Sequence, residues 1–156
     1  MAYVIRKAKL EDIDAINELL YQVHELHVKI RPDLFVDGVK KYTDKEIVSI
    51  MKNPKKPIFV YIENDVVKGY CFCIIEEEKN KSKVQHRTLY IDDLCVDKNL
   101  LHQSIGTHLY EYAKMYAKMM NCDYITLNVW EGNDNAYNFY KHLGLKEQKR
   151  ILEEKL

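Results

Sequence analysis

Hydrophobic positions in this chain recur with two different periods, and the switches between them predict its elements. Residues 3–8 read as a short first strand. Ile13, Ile16, Leu20 and Val23 then recur at gaps of three and four, the stripe of an amphipathic helix over about 10–27. Arg31-Pro32-Asp33 breaks that pattern, because the residue before a proline is pushed toward extended backbone, and Gly38 supports a loop. A second, shorter helix is expected around 44–51, ended by Asn53-Pro54 and Pro57.

Residues 58–63 and 66–75 are β-branched and aromatic runs around Asn64-Asp65, a hairpin signal that lacks the favoured glycine. Residues 76–83 form a charged loop, and 88–96 is the next strand. Ile105, Leu109, Tyr112, Ala113, Tyr116, Ala117 and Met120 follow helical spacing and predict a third helix. Residues 123–130 read as a fifth strand. Asn133 is placed to cap a fourth helix, in which Ala136, Phe139, Tyr140 and Leu143 are spaced three and four apart; Gly144 stops it. Residues 145–156 are expected to supply one or two closing strands. A meander followed by alternating strands and helices points to an α/β sandwich with a mixed sheet.

At 156 residues, one domain spanning 1–156 is expected, large enough to bury about two thirds of its unfolded surface. Lys and Arg total 24, as do Asp and Glu, so an electrostatically driven nucleic-acid or membrane partner is not expected. The opening residues lack the build of a signal peptide and no apolar run reaches the ~20 residues that span a bilayer, so the expected location is cytoplasmic. Cys71, Cys73, Cys95 and Cys122 lie in apolar runs and read as buried free thiols, with no metal site. His24 and His27, near a helix end and without a matching ligand cluster, read as structural.

The candidate chemistry sits at 90–107, where an apolar strand runs through a short loop into the third helix. The first N–H groups of a helix have no intrahelical partner and can face an anion. Gly106 allows close backbone approach, and Ser104 and Thr107 add hydroxyls, so a pyrophosphate suits this loop. Ser-x-Gly at a helix start is equally an ordinary cap. Downstream, Asn133 and Tyr140 read as a cap and a core residue, or as a second half of the same site.

Three pieces in this order resemble the GNAT superfamily of acetyl-CoA-dependent N-acetyltransferases across essentially the whole chain. They are the strand ending Leu94-Cys95-Val96, the loop at 101–106 in place of the family's Gln/Arg-x-x-Gly-x-Gly/Ala, and Asn133-x-x-Ala136-x-x-Phe139-Tyr140-x-x-x-Gly144-Leu145. Leu101 and Ser104 depart from the loop pattern. The resemblance implies a three-layer sandwich with a mixed, mostly antiparallel sheet of six to seven strands flanked by about four helices. It implies acetyl-CoA as cosubstrate, with the backbone of Leu94, Cys95 and Val96 pairing with the pantetheine arm. Gln103, Ser104, Ile105, Gly106 and Thr107 would hold the pyrophosphate, and Asn133 would reach the pantetheine or phosphate end. Tyr140 would lie near the sulfur as proton donor to the departing thiolate.

The attacking amine must be neutral, and Asp92 or Asp93 could bind its ammonium and accept the proton. Adjacent on a strand, their side chains point to opposite faces unless a bulge intervenes, so one at most is expected in the cleft. The string Tyr90-Ile91-Asp92-Asp93-Leu94 is similar to a segment of the polyamine and thialysine acetyltransferase branch, which implies a polyamine or lysine-like small amine. Protein N-terminal or lysine acetylation, and a CoA-binding regulatory module without turnover, are the alternatives. Related folds often pair as dimers across the late strands, an arrangement the sequence permits here.

Overall fold

The computed structural model describes residues 2–101 and 104–156. In chain order it forms β1 (Tyr3–Lys7), α1 (Ile13–Ile30), α2 (Asp44–Met51), β2 (Ile58–Glu63), β3 (Val66–Glu77), β4 (Arg87–Val96), α3 (Ile105–Met119), β5 (Tyr124–Leu127) and α4 (Asp134–His142), with 3-10 turns before α1 and after β4. The sheet order is β1-β2-β3-β4-β5; neighbours are antiparallel except for the parallel pair β4–β5.

The first helix enters through a 3-10 turn because Asp12 accepts from the Lys9 N–H and pairs with Arg6, which fixes the approach from β1. Asn64 and Asp65 supply the tight hairpin turn by both adopting positive φ, 52° and 59°, which Asn and Asp tolerate best among non-glycines. The second helix opens with a reciprocal box, in which Thr43 and Glu46 side chains each take a backbone N–H of the other.

The sheet separates two apolar layers. On one face Phe59, Cys71, Cys73, Leu89 and Ile91 pack under Ile105, Leu109 and Ala113 of α3. On the other, Ile58, Val60, Tyr70, Phe72 and Cys95 pack under Ile16 and Leu20 of α1 and Ile47 of α2. Gly69 lets α3 lie close to the sheet: a Cβ there would meet the Cys95 carbonyl and the Leu109 side chain, both at 3.0 Å. The three-layer arrangement agrees with expectation.

The strand count does not: the sheet has five strands rather than six to seven. Leu145 donates to the Tyr140 carbonyl and closes α4, and past it residues 146–156 form no helix and pair with no strand among the described residues. Side chains hold this segment instead, Glu147 accepting from Tyr137 and Glu153 pairing with Arg31. The closing strands predicted for 145–156 therefore do not form within the chain.

Candidate active site

The phase of β4 changes at its centre. Leu89 and Ile91 face α3, whereas Cys95 faces α1, so odd-numbered residues swap faces along one strand. The cause is a bulge: Phe72 pairs with Asp93 and the adjacent Cys73 with Ile91, leaving Asp92 as an extra residue on β4. One inserted residue puts the Asp92 and Asp93 side chains on the same face, toward α1 and α2. The expectation of opposite faces is corrected, and the bulge is the reason. The signal was present in the sequence as two adjacent polar residues where the apolar positions shift from 89 and 91 to 94 and 96.

Both carboxylates are held by hydroxyls from elsewhere. Tyr42 donates to Asp92 at 2.5 Å, and Lys41 reaches the other Asp92 oxygen at 3.1 Å and its carbonyl at 3.3 Å. Tyr70, fully buried, donates to Asp93 at 2.7 Å. Burial pushes the Asp93 carboxyl up to about 6, against the opposing pull of the Tyr70 hydroxyl. Burial and the Asp92 contact together push the Tyr42 phenol well above its ordinary range, so it acts as a donor. A cavity of about 240 Å³ opens beside Asp92, with Tyr42, Glu46, Phe72 and Ile74 in its walls. The loop between the first two helices reads in the sequence as a candidate rim of the acceptor groove; that its Lys41 and Tyr42, and Tyr70 of β3, hold the acidic pair was not foreseen, because nothing in their spacing links them to residues 50 or 23 positions away.

A gap lies on the other side of β4. Parallel pairing with β5 stops at Ile91 opposite Leu127, whereas β4 runs on to Val96. The edge of Leu94, Cys95 and Val96 turned away from β3 thus has no strand beside it among the described residues, and its backbone groups are free to pair with an extended chain. The Cys95 thiol points the other way, donating to the Leu19 carbonyl at 3.5 Å, and burial pushes it far up. It is no nucleophile; only its backbone serves the gap.

Helix α3 starts at the end of this gap. Ser104 takes a left-handed conformation, φ 62° and ψ 14°, and makes no capping hydrogen bond with its side chain. The first helical bond is His108 N–H to the Ser104 carbonyl, so the N–H groups of Ile105, Gly106 and Thr107 stay without intrahelical partners. Gly106 faces α4: a Cβ there would meet the Phe139 ring at 3.2 Å and Val96 at 3.7 Å. Gln103 lies outside the described residues. These features fit the groups that sequence reasoning assigned to the pantetheine arm and the pyrophosphate: a free strand edge leading to an uncapped helix start that a glycine keeps tight.

Asn133 caps α4 through Ala136 N–H at 3.3 Å, which occupies its carbonyl oxygen and leaves its amide as donor. Tyr140 packs between Tyr110 and Phe139, with ring centroids 6.4 and 4.9 Å away. Burial, followed by the nearby Cys71 and Asp93, pushes its phenol far up. Its hydroxyl forms no hydrogen bond among the described residues. The structure brings together Leu94–Val96, Gly106, Phe139 and Tyr140 on one side of β4, and Asp92 and Asp93 on the other. Among the described residues no cluster of His, Cys, Asp and Glu has the form of a metal site, and no helix is long and apolar enough to cross a membrane.

The sequence model of the Acetyltransferase (GNAT) family matches residues 20–145. A probable N-acetyltransferase named san from Drosophila melanogaster is 32% identical over 106 residues, 67% of this chain and 54% of that protein. The chain spans about half the length of the curated relatives it matches. Among solved structures, a mutant BH1408 protein from Bacillus halodurans superposes with a TM-score of 0.94 at 30% identity, covering 98% of this chain and 99% of that one. An aminoglycoside N-acetyltransferase in complex with CoA shares the fold at 11% identity, with a TM-score of 0.74 over 99% of this chain and 95% of that one.

Proposed function

The chain belongs to the GNAT acetyltransferase family, and from that premise we propose that it transfers an acetyl group from acetyl-CoA to a small primary amine by direct attack in a ternary complex. The observation that carries the amine half is the bulge at Asp92. It turns two carboxylates to one face, where an alkylammonium, that of Lys41, already rests on Asp92 beside a cavity. A polyamine or a lysine-like amine is the acceptor class that suits this seat. The CoA complex of a structural neighbour supports the cosubstrate.

Acetyl-CoA supplies a thioester whose acetyl group moves and whose sulfur departs as thiolate. The Leu94–Val96 edge offers backbone donors and acceptors to the amide-bearing arm, and the free N–H groups of Ile105, Gly106 and Thr107 face the pyrophosphate at the positive end of the α3 dipole. The Asn133 amide has a donor left for the arm. Asp92 binds the acceptor ammonium. Asp93, ionised above about pH 6, takes the proton that makes the amine nucleophilic, directly or through water. Tyr140, held protonated by its surroundings, donates toward the sulfur as charge develops there. The buried thiol of Cys95 takes no part.

A thiol-release assay over an amine panel tests the reading. Turnover is expected with polyamines or lysine-like amines, with Tyr140→Phe lowering kcat about 100-fold at little change in acetyl-CoA affinity. The kcat/KM profile should rise through a limb near pH 6 that Asp93→Asn removes. Acetyl-CoA binding without turnover on any amine would make this a CoA-binding module instead, and an unchanged kcat in Tyr140→Phe would remove its donor role.

A further inference from the structure

Tyr70 is a tyrosine in a place that packing alone would give to phenylalanine. Its ring is fully buried in the apolar layer under α1 and α2, among Ile16, Leu20, Ile58 and Val60, and meets the Phe72 ring edge-on at 4.9 Å. A hydroxyl in such a layer costs free energy unless it is bonded. The partner it finds is Asp93 Oδ2, at 2.7 Å.

The reach follows from the register. Tyr70 pairs with Cys95, and Asp93 stands two residues before Cys95 on the same face, so the phenol crosses the diagonal between β3 and β4 that long side chains span. The bulge at Asp92 lies on the far side of Asp93 and leaves this step regular. Asp92 is held differently, by Tyr42 and Lys41 from the loop before α2. Each acid thus has its own phenol, and the one on Asp93 rises from the sheet itself.

Tyr70 donates to the ionised form of Asp93 and so favours it, together with Lys41 and the Leu94 N–H, against burial and the Asp92 charge. The other titratable groups around Asp93 are Cys71 on β3, Tyr90 and Cys95 on β4, Tyr42 in the loop and Tyr140 on α4. Their surroundings push all five up, so none of them changes charge near pH 6. Helices α1 and α2 turn Ile16, Leu20 and Ile47 to this face. Tyr70 is itself pushed far up by burial, so it keeps its proton and goes on donating.

We propose that Tyr70 is a positioning residue for acetyl transfer, whose hydroxyl holds the Asp93 carboxylate in one orientation as the proton acceptor while Asp92 binds the amine. This rests on the reading of Asp93 as the base. The sign of the effect is fixed: a bond to the ionised form, once lost, moves the Asp93 titration upward.

Two titrations test it, one of the carboxyl and one of the rate. In protein labelled with carbon-13 at its Asp carboxyls, the Asp93 signal, assigned by its absence in Asp93→Asn, should titrate about one pH unit higher in Tyr70→Phe, and the acid limb of kcat/KM should move with it. For a limb near pH 6 that is a loss of about fivefold at pH 6 and little loss above about pH 8.5. Acetyl-CoA affinity should not change. 3-Fluorotyrosine at position 70, nearly the same in shape with a more acidic hydroxyl, should move both titrations downward, which keeps the test open if Tyr70→Phe does not fold. A carboxyl titration unmoved by either change, or a rate lowered equally at every pH, would overturn the proposal. A carboxyl titration that moves while the limb stays would remove Asp93 as the base, and the proposal would fall with that reading rather than with the hydroxyl bond.

Discussion

The two sides of β4 past its bulge are prepared in opposite ways. On the acidic side every carboxylate oxygen of Asp92 is already engaged by Lys41 or Tyr42, and Asp93 is engaged by Tyr70. On the edge side the strand and the start of α3 leave their backbone donors open among the described residues, with no side-chain cap from Ser104. The helix that starts near the acidic side, α2, is by contrast closed by a reciprocal cap. An ammonium seat can be filled by the protein's own lysine until an acceptor displaces it, since an exposed ion pair costs little to break. A pyrophosphate seat filled by a cap would lose the donors that make it a seat. One side is therefore occupied and exchangeable, the other open and preorganised.

The largest expected effect comes from putting a charge on the open side. Thr107→Glu adds a carboxylate to the first turn of α3, which favours the helix by about 0.5 kcal/mol through the dipole. The same charge should weaken acetyl-CoA binding by about tenfold or more, read by calorimetric titration. A stabilised protein with unweakened binding would mean that the open turn is only an unfinished cap. On the occupied side, Lys41→Met removes the resident ammonium. Exposed pairs of this kind are worth about 0.2 to 1 kcal/mol, so KM for the acceptor should fall by a factor of about 1.4 to 5 with KM for acetyl-CoA unchanged. A rise in acceptor KM would show that Lys41 helps rather than competes. The smallest effect tests the strain at the junction. Ser104→Gly relieves a left-handed serine at a gain of about 1 kcal/mol, near 3 °C in Tm, and leaves acetyl-CoA affinity equal or slightly better.

The layers and helices were readable because apolar spacing reports which face is buried, and α2 and β2 fall where the spacing puts them. The order of the elements that carry the candidate residues, from β4 through α3 to α4, was readable for the same reason together with the family resemblance. What escaped was long-range. Tyr42, Lys41 and Tyr70 meet the acidic pair only once the loop after α1 folds over β3 and β4, and side-chain identity carries no record of that distance. Residues 145–156 were expected to supply closing strands and form none among the described residues, because a local pattern does not say whether a strand finds an edge to join. Ser104 was read as a departure from the loop pattern, where the family prefers glycine, and the positive φ shows what the glycine preference at that position answers to.

The bulge at Asp92 also changes how such a site can be gained or lost in descent. Substitution at 92 or 93 alters one carboxylate at a time, whereas deletion of a single codon between Tyr90 and Asp93 would restore an unbroken ladder with β3. Everything after the deletion would keep its face and its helix contacts, and only one acid would remain turned toward the cavity. The acidic pair is thus a trait of chain length, and homologues that differ by one residue here should differ in the cations they accept even where every neighbouring side chain is the same.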